Sequence, residues 1–254
     1  MNAQNIPPGV RFCFVAPTGC LLGSGDYKNI EARIMAYETN DQKLIDFLEA
    51  GGDIHDQNTR LLFEIDKDHP KYETYRLAAK KFFFGRICFG GSDWEIYTGL
   101  LTEVPEARIT MSTVKKMAET YMADHPEYLI WHDKVQQLAL KERVSLTFAG
   151  RKRALMDNER QILKHALNTP TQGGAAHVIN RAMNRIQNRL DDRKFKTKLL
   201  LQVHDELVFE IPFREILKAK KMILEEMQRP IKAWNREVIF PVEWKTGTNW
   251  GELS

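Results

Sequence analysis

Hydrophobic and polar positions change period several times along the chain, and each change predicts an element. RFCFVAP (11–17) alternates and reads as a short strand, Pro17-Thr18-Gly19 as a turn, and CLLGSGDY (20–27) as a second strand. Ile30, Ile34 and Met35 recur at helical spacing, which predicts a helix over 30–38. Asp41 can cap a helix over 42–50 that Gly51-Gly52 ends, and Asp53 can cap a third starting near Ile54 and His55. After Pro70 the helical pattern runs to about Phe84 and returns over 93–101, 111–124 and 127–142. RVSLTFAGRKR reads as a strand and turn. Residues 157–168 are helical, Pro170 is expected to interrupt, and a long helix follows from Gln172 to about Asp191. KLLLQV and LVFEI flank the polar HDE and predict a β-hairpin. An amphipathic helix over 213–229 follows, then a last strand, VIFPVEW, placed at a sheet edge by Pro241, which cannot donate to a ladder.

Strands, then many helices, then a hairpin, a helix and a strand make an α+β order. An antiparallel sheet drawn from both ends of the chain is expected, with the middle, about 52–155, as a helical insertion. No internal repeat, low-complexity tract or linker is evident. Composition narrows the class. Of 254 residues 43% are hydrophobic, enough for a core and against a disordered chain. No run of about 18 apolar residues predicts a membrane span, and MNAQNIPPGV lacks the basic start and apolar block of a secretory signal. Cys13, Cys20 and Cys88 form no CxxC pair and are odd in number, so a disulfide framework or thiolate zinc site is not expected and a reducing compartment is. Lys plus Arg is 37 against 34 Asp plus Glu, a net +3 that permits nucleic-acid binding without demanding it.

Two groups of residues carry candidate chemistry. Asp26 ends an apolar strand, and Asp205 with Glu206 sits at the tip of an apolar hairpin. A carboxylate there costs free energy unless it meets a cation or donor. Carboxylates on neighbouring strands could hold hard divalent ions for phosphoryl transfer, although Asp-Glu at a hairpin tip is also ordinary turn chemistry. In RLAAKKFFFG, Arg76, Lys80 and Phe84 fall four residues apart on one helical face. Two cations one turn apart can clamp a triphosphate, the aromatic can stack on a sugar or base, and a lysine can protonate a leaving pyrophosphate. An amphipathic helix with a basic solvent face would look the same.

Taken together and in order, these pieces resemble the family A DNA polymerases, and the chain looks like their palm and fingers. DYKNIEARIMA (26–36) resembles the first palm motif, and GGDIHDQNT the segment that carries a histidine into the fingers. Arg76, Lys80, Phe84 and Gly85 match RxxxKxxxFG of the nucleotide-binding helix, NTPTQGGAAHVI (168–179) resembles NxPxQGxAAD, LQVHDELVFE (201–210) matches the second palm motif, and GTNWGE resembles the family's ending. The resemblance covers nearly the whole chain. It implies palm over 1–54 and 156–254 with fingers over 55–155, and neither thumb nor exonuclease domain. The implied activity is DNA-directed DNA synthesis (EC 2.7.7.7), adding deoxynucleotides to a primer 3′-hydroxyl with release of pyrophosphate, in replication or repair.

The resemblance also implies roles. Asp26 and Asp205 would bind two Mg²⁺ ions, for which Mn²⁺ can substitute, with the Tyr27 carbonyl as a further ligand and Glu206 in support. Arg76, Lys80 and His55 would contact the incoming triphosphate, with Lys80 as general acid; Phe84 would pack on the sugar and Glu31 would exclude a 2′-hydroxyl. Asn168, Gln172 and His204 would contact the primer–template; His204 is equally readable as a satisfied turn histidine.

Departures from the family pattern bear on fidelity and grip. Cys88 stands where the family usually has a tyrosine near the templating base, and Phe89 where it has glycine; Phe89 could replace that tyrosine if the helix end shifts by one residue. Lys28-Asn29 replace the common Ser-Gln, and His177 the common Asp. Met1 falls inside the stretch that in the family follows a thumb and carries a minor-groove arginine. Loss of a thumb would weaken duplex binding, which is phosphate-dominated and salt-sensitive, more than the chemical step. One alternative is therefore half of a split polymerase whose thumb and exonuclease come from a separate subunit, and another is an inactive nucleic-acid-binding remnant. A two-metal nuclease is disfavoured because it has no use for the Arg76–Lys80–Phe84 helix. A cytoplasmic location is expected, that of a bacterial host if the source is a phage or prophage.

Overall fold

The computed structural model describes residues 5–253. The chain divides into two compact units, one of Met1–Ile30 with Ala175–Ser254 and one of Glu31–Gly174.

The first unit is built on a four-stranded antiparallel sheet of order β4-β5-β1-β8. Its strands are β1 (Cys20–Tyr27), β4 (Lys198–Val203), β5 (Glu206–Pro212) and β8 (Val242–Gly247). The sheet does draw on both ends of the chain, and β8 is an edge strand. Helix α9 (Ile216–Met227) buries Ala219, Met222, Ile223 and Met227. It packs on β1 closely enough that a Cβ at Gly25 would lie 2.6 Å from the Met227 sulfur. A Cβ at Gly23 would run into Trp244 and Ile211 at 2.6 and 2.7 Å, so both glycines of CLLGSGDY are there to admit neighbours. The Tyr27 hydroxyl donates to the Met227 carbonyl at 2.8 Å, which fastens the helix to the end of β1. A further cluster gathers Leu22, Val203, Val208, Trp250 and Leu253, with Ile6, Ala16 and Leu201 against it.

Two expectations for this unit change, and one hairpin was not foreseen. RFCFVAP is not a strand: Pro8–Cys13 is a 3-10 turn led by Pro7-Pro8, and only Val15 makes an isolated bridge, to Asn249. Its apolar positions are only partly covered: Phe14 meets Trp250 edge-on and Ala16 packs on the cluster around it, while Phe12 and Val15 stay 61% and 68% exposed. VIFPVEW is split at Pro241 between β7 (Arg236–Val238) and β8, because proline supplies no ladder donor. Strand β7 instead pairs with β6 (Ile231–Ala233) in a hairpin turned by Trp234 and Asn235, both at positive φ (49° and 58°). The turn contains no glycine, so the usual sequence signal was missing.

The second unit is mainly helical. Helix α1 (Ile30–Thr39) leads into α2 (Gln42–Glu49), capped by Asp41, whose carboxylate accepts from the Leu44 N–H at 2.9 Å. The other Asp41 oxygen meets His125 Nδ1 at 2.5 Å inside the unit. Helices α3 (Ile54–Phe63) and α4 (Tyr72–Phe82) pack together, and a π-helical turn, Phe83–Cys88, follows α4. Helix α5 (Asp93–Glu103) opens on a Ser92–Glu95 capping box, α6 (Met111–Asp124) on a Thr110–Thr113 one, and α7 (Pro126–Glu142) follows with proline in its first turn. Strands β2 (Val144–Leu146) and β3 (Lys152–Ala154) form a hairpin. Phe82, Phe83, Ile87, Cys88, Val114 and Tyr121 are at most 1% exposed.

Pro170 does not interrupt the helix, as was expected of it. Helix α8 runs unbroken from Glu159 to Asp192. A proline inside a helix leaves the carbonyl four residues back without its donor. Here that carbonyl is Ala166, and the buried Ser145 hydroxyl donates to it at 3.0 Å. The strand before the helix thus supplies the bond that proline withholds. Among the described residues no helix is long and apolar enough to cross a membrane.

Candidate active site

In the first unit, acids converge at one end of the sheet. Asp26, near the end of β1, lies opposite Glu206 on β5 and opposite Glu243 on β8. Directly opposed residues share a face of the sheet. Asp205 is held in the two-residue turn between β4 and β5, where His204 adopts a positive φ of 54° and the Tyr27 N–H donates to the Asp205 carbonyl at 3.3 Å. The Ser24 hydroxyl donates to Glu206 Oε1 at 2.5 Å. Asp26 is open to solvent, yet desolvation by the protein around it, then Asp205, Glu206 and Glu243, push its pKa up to about 7. Lys245 pulls the other way and loses.

Like charges this close favour one of two outcomes: a carboxylate takes up a proton, or a cation enters. The donors are all oxygen, which suits a hard ion that keeps several waters and takes one or two protein carboxylates. Among the described residues no three His, Cys, Asp or Glu side chains form a ready-made cage. Glu243 was not foreseen from the sequence, since only the β1–β8 register brings it beside Asp26. Lys28 approaches it at 3.8 Å, both side chains about half exposed.

In the second unit, Asp53 caps α3 by accepting from the N–H groups of His55 (2.8 Å) and Asp56 (3.1 Å). The same two acids hold Arg76 of α4: its Nε donates to Asp56 at 2.6 Å and its Nη2 to Asp53 at 2.8 Å. Burial works against ionisation of Asp56, but hydrogen bonds from Lys67, Arg76 and Tyr72 outweigh it and hold its pKa at about 2. His55 is buried, its Nδ1 has no hydrogen-bond partner among the described residues, and desolvation followed by Lys80 lowers its pKa to about 4. Lys80, one turn beyond Arg76, is exposed and makes no ion pair among the described residues. Phe84, one turn further, stands 5.5 Å from the His55 ring centroid to centroid.

The π-helical turn then changes which residue continues this face. Its wide hydrogen bond runs from the Phe89 N–H to the Phe84 carbonyl, at 2.9 Å. Phe89 rather than Cys88 therefore falls beneath Phe84, the rings 6.1 Å apart and 28° from parallel. Cys88 turns fully inward, its thiol pushed well up by burial and, secondarily, by Glu31. The remaining candidates are placed as follows. Glu31 lies in the first turn of α1. Asn168 and Gln172 are one turn apart on α8, Gln172 exposed and Asn168 Oδ1 buried without a hydrogen-bond partner among the described residues. His204 is exposed on its turn in the first unit.

Comparison with known proteins places these features in a family. Residues 1–252 match the family described as DNA polymerase family A. The chain is 32% identical over 264 aligned residues to the DNA polymerase I of Lactococcus lactis subsp. lactis, covering 99% of this chain and 29% of that protein. To the DNA polymerase I of Geobacillus stearothermophilus it is 31% identical, over 98% of this chain and 29% of that protein. A solved structure of the POL domain of Pol1 from M. smegmatis, in complex with DNA primer-template and dNTP, matches with a TM-score of 0.84 at 28% identity, over 99% of this chain and 45% of that one. The chain thus spans less than a third of the length of the two bacterial polymerases. With its sheet-borne acids and its Arg76–Lys80–Phe84 helix in the matched region, the chain belongs to DNA polymerase family A.

Proposed function

We propose that this chain carries the catalytic part of a DNA-directed DNA polymerase, EC 2.7.7.7, which joins a deoxynucleoside monophosphate to a primer 3′-hydroxyl under template direction and releases pyrophosphate. The observation that carries the reading is the gathering of Asp26, Asp205, Glu206 and Glu243 at one end of the sheet, where desolvation and then the neighbouring acids raise Asp26 to about 7. In this reading Asp26 and Asp205, with the Tyr27 carbonyl, hold two Mg²⁺ ions. When bound, such ions neutralise charge on the attacking and leaving oxygens. Ser24 orients Glu206, which keeps the cluster negative.

The helical unit does the work of positioning. Arg76 exchanges Asp53 and Asp56 for a triphosphate oxygen, a trade its fork geometry permits. Lys80 meets the same triphosphate and donates a proton to the leaving pyrophosphate. His55, kept neutral by burial, offers its unpartnered ring nitrogen to a phosphate or packs beside the sugar with Phe84. Glu31 excludes a 2′-hydroxyl, Phe89 presents the aromatic face that Cys88 lacks, and Asn168, Gln172 and His204 contact primer and template. The function test is primer extension with Mg²⁺ by wild type, Asp26→Asn and Asp205→Asn. Wild type should extend and both variants should lose at least a thousandfold in rate, about 4 kcal/mol in barrier height, while remaining folded by circular dichroism. Extension by either variant at the wild-type rate would remove that residue from the site.

A further inference from the structure

A second charged site lies in the first unit, at the end of the β4–β5 hairpin opposite Asp205. A cleft of about 560 Å³ opens there between the C-terminal end of α8 and helix α9. Arg193, Lys194, Arg214, Lys218 and Lys221 line it around Phe195. None of these five cations has an ion pair or a side-chain hydrogen bond among the described residues. The two acids of the cleft are engaged: Glu215 accepts from the N–H groups of Lys196 and Thr197 and the Thr197 hydroxyl, and Glu225 from Arg189. Counting Arg189, six cations and two acids line the concavity, so it carries a net positive charge and five of its cations have no partner acid of their own among the described residues.

The cleft is separate from the carboxylate site. Strand β4 begins at Lys198, just after the cleft residues 193–195, and β5 ends at Pro212, just before Arg214. A six-residue strand spans roughly 20 Å, so about that distance separates the cleft from the Asp205 turn. The positive charge also continues along α8. Arg181, Arg185, Arg189 and Arg193 recur every fourth residue, and Arg181 and Arg185 line a neighbouring cleft with Arg229 and Lys232. Arg185 and Arg189 are held by Glu226, and Arg189 by Glu225 as well, which leaves Arg181 and Arg193 at the two ends of the series to meet a ligand whose charges repeat along a chain, and the half-buried Phe195 offers a face for a base or sugar.

We propose that this cleft binds the phosphate backbone of a nucleic acid, as an anchoring site about a strand's length from the acids. Its chemistry is positional rather than catalytic, so it adds affinity and salt dependence without touching the reacting atoms. The test is fluorescence anisotropy of a labelled primer–template duplex bound to the full chain across a range of salt, comparing wild type with Arg214→Gln/Lys218→Gln/Lys221→Gln. All three positions are exposed, so the fold is not at stake. The triple variant should bind more weakly at every salt concentration, with a slope of log K against log salt smaller by roughly 2–3. Its extension rate from saturating duplex should equal that of wild type. Unchanged duplex affinity and slope would overturn the proposal. So would a loss confined to inorganic tripolyphosphate, which marks a small-anion pocket, or to a polyglutamate peptide, which marks a protein-docking surface. Binding is read without synthesis, so Asp26→Asn, which should bind duplex normally, separates failure here from failure of the polymerase reading.

Discussion

At the scale of single residues, the acids and cations of the helical unit make the sharpest statements. Arg76 is already paired twice, with Asp53 and Asp56, so any anion that is to bind it must compete with both. Asp56 is depressed to about 2 from an ordinary 3.8. A depressed acid stabilises the fold fully above its ordinary value and loses that contribution as pH falls toward the folded value. Urea midpoints should therefore drop between about pH 4 and pH 2, and Asp56→Asn should flatten that part of the profile. His55 makes the complementary case. With its pKa lowered to about 4, its ring resonances in NMR should stay at their neutral positions through pH 6 and move only near pH 4. A transition near 6.5 would mean the ring is solvated and free of Lys80. The face below Phe84 yields another expectation. Phe89→Ala should lower nucleotide selectivity and raise the dNTP KM, Phe89→Tyr should restore both, and Cys88→Ser should leave both unchanged because Cys88 lies in the core. Equal effects at 88 and 89 would contradict the register that the π-helical turn sets.

At the scale of elements, most helices and the hairpin could be read in the sequence because their signals are local. Asp41 and Asp53 each cap the helix that follows them, as their positions in the sequence imply. What could not be read depended on distant partners. RFCFVAP has a strand's alternation but no strand beside it. Pro170 has a helix breaker's chemistry, but Ser145 compensates from 25 residues upstream in the chain. Ser145→Ala should leave the Ala166 carbonyl buried and unpaired, at a cost of about 1–3 kcal/mol in urea denaturation. Pro170→Ala supplies the missing N–H, so the same Ser145 substitution should cost less in that background. A cost unchanged by Pro170→Ala would mean the hydroxyl is not standing in for the amide. The departure at Cys88-Phe89 raised a one-residue shift of this helix end, but only the structure shows that a π-helical turn makes it, with Phe83, Ile87 and Cys88 buried.

At the scale of the whole molecule, the two kinds of candidate chemistry fall in different units, the acids on the sheet and Arg76 and Lys80 on the helices. Asp26, Asp205 and Glu206 were legible because their motifs are contiguous in sequence. Glu243 was not, because its place beside Asp26 is a matter of strand register. The net charge of +3 likewise hid the cleft at the end of α8, since a sum over the chain says nothing of where five unpaired cations gather. The central claim is that the sheet-borne acids run metal-dependent DNA synthesis, and it is tested most directly by single-turnover primer extension. The account predicts longer strands from wild type with Mg²⁺, none after chelation, and a loss of at least a thousandfold in Asp26→Asn at unchanged duplex affinity. Extension by Asp26→Asn at the wild-type rate, or shortening of the primer by wild type with Mg²⁺ and dNTPs, would contradict it.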